Sequence, residues 1–170
     1  KLTIGESHTT KKGHDFAMKI MKMLNAKKEE RSDKYGIAFA VYGTPAESLT
    51  HRFASIDKER FGDIEDVTDK GYYTNSFHVD VREHITVFDK FDFESEFQKL
   101  SIGGCISYAE IPNMNNNIEA VLTMIEYIYD HIQYAEFNTK SDYCGNCGYD
   151  GEILLDDDNE WYCPNCGNHD

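Results

Sequence analysis

The sequence predicts an α/β fold that carries a small cysteine-rich tail. Three observations support this: short apolar segments alternate with amphipathic helical stretches, one strong helical stripe runs from Ile118 to Ile132, and two Cys-x-x-Cys pairs stand near the end. Strands alternating with helices imply parallel strands joined by helical crossovers, hence an α/β layer or barrel segment. A chain of 170 residues accommodates one ordinary domain plus an appendage. The composition switches to Gly, Asn, Asp and Cys near Thr139–Asp142, so two domains are expected, 1–140 and 141–170.

The elements follow from local pattern. Between His14 and Lys28, Phe16, Ile20, Met23 and Leu24 fall at i, i+4, i+7 and i+8 on one helix face, and Lys27–Lys34 reads as a charged connector. The segment "YGIAFAVYG" (Tyr35–Gly43) is short, apolar and bounded by glycine, which predicts a buried strand. "TPAESLTHRF" (Thr44–Phe53) opens a helix, and Asp57–Asn75, without a clean period, predicts an ordered loop. "SFHVDV" (Ser76–Val81) alternates weakly as a short strand does, and Phe93, Phe97 and Leu100 share one face of a helix in Phe91–Leu100. "GGCISYAEI" (Gly103–Ile111) predicts a second main strand. Ile118, Val121, Leu122, Ile125, Ile128, Tyr129 and Ile132 form the helical stripe, and "QYAEFN" (Gln133–Asn138) predicts a third strand. Tyr127, Tyr129 and Tyr134 are expected to pack around that third strand.

The net charge of −14 excludes a sequence-independent hold on nucleic acid, where Lys and Arg neutralise phosphates. A phosphate site must then be local, built from backbone N–H groups or a helix end. No run approaches the ~20 apolar residues of a membrane span, and no signal peptide is visible. A soluble, cytoplasmic protein is expected, and the opening Lys1 suggests a piece of something longer.

Five cysteines is an odd number. Cys144, Cys147, Cys163 and Cys166 have the spacing of a zinc ribbon, in which two turns each present two thiolates to one Zn2+ ion. Four thiolates leave no open coordination position, so the site is expected to be structural. A pair of redox disulfides or an iron–sulfur cluster are the alternatives. Ser141–Asp170 holds eight acidic residues and no Lys or Arg, the wrong sign for phosphate contact, so the ribbon is expected to brace its own protein. Cys105, in a strand pattern, reads as a small buried hydrophobe.

"YGTPAES" admits two readings. Thr44 as N-cap, Pro45 at N1 and Glu47 at N3 make a Thr-x-x-Glu capping box. Alternatively, a helix N-terminus at the carboxyl end of a strand binds an anion through the N–H groups of Ala46, Glu47 and Ser48. Glu47 then faces substrate as a carboxylate. The polar, aromatic segment around Asp69, Lys70, Tyr72, Tyr73, Asn75 and His78 reads either as a cleft lining or as a surface loop, and His78 as a satisfied histidine.

"YGTPAESL", "VTDKGYYTNSFHV", "GGCISYAEI" and the terminal cysteine pairs, in this order from about Tyr35 onward, resemble the anaerobic (class III) ribonucleoside-triphosphate reductases. The resemblance implies part of a ten-stranded α/β barrel of glycyl-radical-enzyme type followed by the ribbon. It implies reduction of ribonucleoside triphosphates to deoxyribonucleotides by radical chemistry. In that family a glycyl radical on a C-terminal loop passes to a finger-loop cysteine, formate supplies electrons in several members, and a radical-SAM activating enzyme makes the radical. A homodimer is expected. Thr44, Pro45, Ala46, Glu47 and Ser48 match the family's substrate-phosphate loop, and Glu47 matches its active-site carboxylate near the ribose. The chain departs from the family pattern in lacking an Arg-x-Cys-Gly-Tyr segment, a finger-loop cysteine and an N-terminal nucleotide-binding cone, so the isolated segment is expected to be inactive. The competing readings are a non-enzymatic zinc-ribbon α/β protein that binds a nucleotide or protein partner, and a different glycyl-radical enzyme, which this tail fits poorly.

Overall fold

The computed structural model describes residues 3–65, 67–112, 114, 116–139, 142–156 and 160–169, with Glu47 and Ser48 described by backbone alone. Four helices and six short strands follow in the order α1 (Lys11–Tyr35), α2 (Glu47–Phe61), α3 (Val87–Gln98), β1 (Ser107–Ile111), α4 (Ile118–His131), β2 (Ala135–Thr139), β3 (Asp142–Tyr143), β4 (Asp150–Gly151), β5 (Leu154–Leu155) and β6 (Trp161–Tyr162). The strands pair two by two: β1 with β2, β3 with β4, β5 with β6. The mixed α/β class is as expected. Among the described residues these three two-stranded sheets do not make a ten-stranded barrel. The chain divides into two compact units, residues 1–107 with 126–135, and residues 108–125 with 136–170.

In the first unit, α1 is longer than its apolar stripe. Thr10 caps its start by accepting from Gly13 N, and Gly36, at φ 65°, ends it by donating to Ser32 O. Lys27–Lys34 is therefore helix, not connector. Its Lys, Glu and Arg residues are strong helix formers, Lys27 and Glu30 pair at i,i+3, and no breaker occurs before Gly36.

Residues 37–46 form no strand, contrary to the buried strand expected at Tyr35–Gly43. Two backbone bonds tie them to the segment before β1, Gly103 N to Val41 O (2.8 Å) and Gly43 N to Gly104 O (2.9 Å). Ile37, Phe39 and Tyr42 are exposed. The approach is close enough to demand glycine at Gly103, where a Cβ would lie 2.7 Å from Val41 O.

α2 begins at Glu47, not at Thr44. Its N-cap is Ala46, which makes no side-chain capping bond, so the Thr44 capping box does not form. The replacement is tertiary: Asn75 Oδ1 accepts from Ala46 N at 3.0 Å. Helix also continues to Phe61, through the start of the expected loop. Ser76–Val81 is a turn rather than a strand, because Ser76 sits at φ 34°, outside extended backbone.

Thr86 caps α3 by accepting from Asp89 N at 3.1 Å. The core joins Phe77, Phe97 and Cys105, against which Ala17, Met18 and Met21 of α1 pack. Phe77 and Phe97 stack at 5.5 Å. Cys105 is buried here, as expected, and burial pushes its thiol up.

β1 and α4 fall inside the segments expected for them, and β2 overlaps its expected segment but starts two residues later and ends one later, at Thr139. The stripe behaves as core only at its end: Ile118, Leu122 and Ile125 are exposed, whereas Met124 of α4 and Ile132 just beyond it are buried. The tyrosines do not gather on a strand either. Tyr129 is 87% exposed and Tyr134 60%, whereas Tyr127 stacks on His131 at 4.1 Å and meets Phe88 edge-on at 5.0 Å. No helix among the described residues is long and apolar enough to cross a membrane.

Candidate metal centre and substrate turn

Residues 142–156 and 160–169 of the second unit hold two matching knuckles: the first turns β3 into β4, and the second lies between Tyr162 of β6 and its bridge partner His169. β3 and β4 pair antiparallel with Tyr143 opposite Asp150; β5 and β6 pair with Leu155 opposite Trp161. In the first knuckle Cys144 N donates to Tyr149 O and Gly148 N to Cys144 O, each at 2.9 Å. In the second, Cys163 N donates to Asn168 O and Gly167 N to Cys163 O, each at 2.8 Å. Gly148 and Gly167 occupy the same step of each turn at φ 72° and 71°, which only glycine adopts freely.

These turns bring four sulfurs together. All four cysteine Sγ atoms lie within 4.8 Å of one another. Cys144 Sγ is 3.8 Å from Cys166 Sγ, and Cys147 Sγ is 3.7 Å from Cys163 Sγ. A tetrahedron of thiolates about 2.3 Å from a zinc ion has edges of about 3.8 Å, so the donor set and its size fit Zn2+. A disulfide needs sulfurs about 2.05 Å apart, and no pair of these cysteines is bonded. Cys144 and Cys163 are buried while Cys147 and Cys166 are exposed, giving each knuckle one inner and one outer ligand. The Asn165 amide and the Tyr149 backbone lower the Cys147 thiol, whereas desolvation raises that of Cys163. His169, tied to Tyr162 by a bridge and lying 3.6 Å from Asp156, closes the second hairpin. Asp157 and Asp158 of the acidic "DDD" run lie outside the described residues.

In the first unit, the turn before α2 lies beside a cleft of about 340 Å³ lined by Tyr42, Thr44, Ala46, Thr50, Phe53 and the Tyr73–Ser76 segment. The loop therefore lines a cleft rather than lying free on the surface. It is fastened to α2 at several points: Tyr73 N donates to Thr50 O (3.2 Å), His51 Nδ1 meets Gly71 O (2.7 Å), and Tyr73 OH donates to Asp57 (2.8 Å). Thr44 and Ala46 thus stand in the cleft wall, Pro45 is half-buried between them, and the backbone of Glu47 and Ser48 forms the first turn of α2. The side chains of Glu47 and Ser48 lie outside the description.

Sequence reasoning missed a second feature of that loop. Its far side lines a cleft of about 740 Å³ with Lys70, Tyr72, Asp80 and Arg82. Asp80 is bound by Lys70 Nζ, by Tyr72 OH (2.9 Å) and by Arg82 N (3.0 Å). Burial works against its charge, but these donors win and hold its carboxyl well below the usual carboxylate range. Beneath lies fully buried Glu94, paired with Lys90 at 2.5 Å and accepting from Val79 N (3.0 Å) and Ser107 Oγ (2.5 Å). His78 is buried with Nε2 on Ile106 O at 2.6 Å, and desolvation lowers its pKa, so it is the satisfied histidine expected. No periodicity marks either carboxylate: apart from Lys90 at i−4 of Glu94, their partners come from loop residues and from the start of β1.

A family model described as anaerobic ribonucleoside-triphosphate reductase matches residues 1–170. The chain is similar to the anaerobic ribonucleoside-triphosphate reductase of Haemophilus influenzae, 41% identical over 94% of this chain and 24% of that protein. It is similar to that of Enterobacteria phage T4, 40% identical over 93% of this chain and 26% of that protein. The chain thus spans about a quarter of the length of the curated relatives it matches. Its fold resembles the anaerobic ribonucleotide reductase of Thermotoga maritima with MES in the active site (TM-score 0.66, 24% identity, 94% of this chain and 25% of that one). It also resembles the same enzyme in complex with dATP and CTP (TM-score 0.65, 23% identity, 94% of this chain and 24% of that one).

Proposed function

The chain belongs to the anaerobic ribonucleoside-triphosphate reductase family, and from that premise we propose that it is the C-terminal part of the catalytic subunit of such an enzyme. In this reading residues 1–140 complete a ten-stranded α/β barrel and residues 141–170 are its zinc ribbon. The intact enzyme reduces ribonucleoside triphosphates to deoxyribonucleotides by glycyl and thiyl radical chemistry. Formate is the reductant, a radical-SAM activating enzyme is the partner, and the assembly is a cytoplasmic homodimer. One observation carries the reading: the family match is continuous over residues 1–170, and so includes both the Thr44–Ser48 turn and a four-cysteine cluster of zinc dimensions.

The turn supplies the substrate chemistry. The first N–H groups of α2 have no partner within the helix, and the aligned peptide dipoles place partial positive charge there. In this acidic chain they are a local means of holding a triphosphate. Asn75 occupies Ala46 N, and we assign the phosphates to the N–H groups of Glu47 and Ser48. Because Thr44 does not cap α2, Glu47 is not committed to a capping box. We assign its carboxylate to the ribose, where it accepts a hydroxyl proton as hydrogen is removed from the sugar. Zinc held by Cys144, Cys147, Cys163 and Cys166 supplies a covalent-strength cross-link between the two hairpins and no open coordination position.

The test uses the intact protein, activated anaerobically and supplied with formate and a ribonucleoside triphosphate. Glu47→Gln should lower kcat by about 10²–10⁴ with unchanged zinc content. Full turnover by that variant would overturn the assignment of Glu47, and absence of deoxyribonucleotide from the wild type would overturn the proposed activity.

A further inference from the structure

The two knuckles share more than their cysteines. They read Cys-Gly-Asn-Cys at 144–147 and Cys-Pro-Asn-Cys at 163–166, with asparagine at the same step of each turn. Each asparagine reaches across to the other knuckle. Asn146 Nδ2 lies 3.6 Å from Cys166 Sγ, and Asn165 Nδ2 lies 3.4 Å from Cys147 Sγ. The two bonds are related as the knuckles are, and both end on an outer, exposed cysteine.

Resting on the zinc reading above, we infer that Asn146 and Asn165 are positioning residues for the metal centre, each donating an amide N–H to the exposed thiolate of the opposite knuckle. The physical need is plain from charge. Four thiolates around a dication leave a net charge of −2, and the surrounding Ser141–Asp170 segment adds eight acidic residues with no Lys or Arg to offset them. Buried Cys144 and Cys163 are shielded by the protein; Cys147 and Cys166 face water and anything reactive dissolved in it. A neutral amide donor is the available substitute for a cation. It withdraws electron density from the sulfur, which lowers its nucleophilicity, and it locks one knuckle to the other before and after metal binding.

The crossing of the bonds gives a test that a merely structural role would not pass. Zinc-loaded intact protein, wild type and the Asn146→Leu and Asn165→Leu variants, is treated with iodoacetamide, and the labelled cysteines are identified by mass spectrometry. Asn165→Leu should speed labelling of Cys147, and Asn146→Leu that of Cys166, each about tenfold and each in the knuckle that was not mutated. Cobalt-loaded protein provides a second readout: loss of the amide donor should shift the sulfur-to-cobalt charge-transfer band to lower energy. If a leucine variant does not retain metal, the asparagine-to-serine variant at that position, with a hydroxyl too short to cross, is measured instead. Wild-type labelling rates and an unshifted band would overturn the inference, as would acceleration confined to the mutated knuckle. A wild type that binds neither zinc nor cobalt would instead overturn the zinc reading on which the inference rests.

Discussion

Within the ribbon, the sulfur pairs that define the site are 22 and 16 positions apart, whereas the turn before α2 depends on an acceptor 29 positions away and its loop on a histidine nearly 70 positions upstream. The ribbon repeats one small unit twice: a flanking backbone pair (Tyr143 with Asp150, Tyr162 with His169), a knuckle closed by two backbone bonds, a left-handed glycine and a crossing asparagine. The substrate turn repeats nothing. Asn75 holds Ala46 N, and Thr50 O and Asp57 hold Tyr73. His8 Nε2 lies 3.0 Å from the carbonyls of both Phe77 and His78. A locally encoded site of this kind depends on one further ingredient, the proposed zinc ion. A globally assembled one depends on many weak fasteners, none of which is decisive alone.

The largest expected effect breaks the comparison on the ribbon side. Cys163→Ser removes a buried inner ligand, and a structural zinc site with three thiolates no longer closes. Metal content should fall from about one zinc per chain to near zero, with loss of protection of the β5–β6 amides in hydrogen exchange. Chelation of the wild type should produce the same change. The exchange of α1 and α3 should be unaffected, since the core around Phe77 and Phe97 contains no ribbon residue. Elemental analysis and hydrogen exchange decide both points.

The same contrast explains what could be seen in the sequence. The ribbon was legible because its cysteines and glycines are chemically singular and their spacing alone brings four ligands to one point. The helices α3 and α4 were legible from periodicity. The strand expected at Tyr35–Gly43 was not there because apolar composition does not supply an edge: among the described residues, Val41 and Gly43 find distant backbone partners, on Gly103 and Gly104, too few for a ladder. The capping box at Thr44–Glu47 has correct local chemistry, but the helix starts two residues later, at an N-cap Ala46 whose N–H is held by the tertiary acceptor Asn75. The connector at Lys27–Lys34 failed for the opposite reason, since high charge is as compatible with a long solvated helix as with a loop. The crossing asparagines of the ribbon were visible as a repeated Cys-x-Asn-Cys step, yet only geometry shows where their amides point.

A smaller effect is expected at Asp80, which fastens the substrate loop from its far side. Asp80→Asn leaves the mostly buried Lys70 ammonium without its carboxylate. Both groups retain some contact with water, so the cost should be roughly 1–2 kcal/mol, below that of breaking a fully buried pair. The pH dependence has a definite sign. The folded-state pKa of Asp80 is depressed, so its stabilisation is complete above the unfolded value of about 3.9 and is lost as pH falls from there toward the folded value. Acid unfolding of the wild type should therefore be steeper below about pH 4 than that of Asp80→Asn. Superimposable acid limbs would show that the loop is anchored elsewhere.

The smallest effect sharpens the comparison most, because it separates holding the turn from holding the ligand. Asn75→Ala removes the acceptor from Ala46 N and should destabilise the protein by about 1 kcal/mol, readable as a small fall in Tm. Asn75→Asp keeps an oxygen acceptor at the same reach, so it should restore Tm. It also introduces a negative charge beside the α2 N-terminus, where the proposed phosphate site lies. Steady-state kinetics of the intact enzyme should then show KM for the ribonucleoside triphosphate raised by about three- to tenfold in Asn75→Asp, weaker at high salt, with kcat little changed. If Asn75 only fastens the turn, KM will follow Tm and the aspartate variant will behave as wild type. If the α2 N-terminus receives the phosphates, the two readouts will part, with alanine costing stability and aspartate costing affinity. That divergence is available only at a site assembled from distant parts, because Asn75 sits one hydrogen bond from the backbone to which the phosphates are assigned.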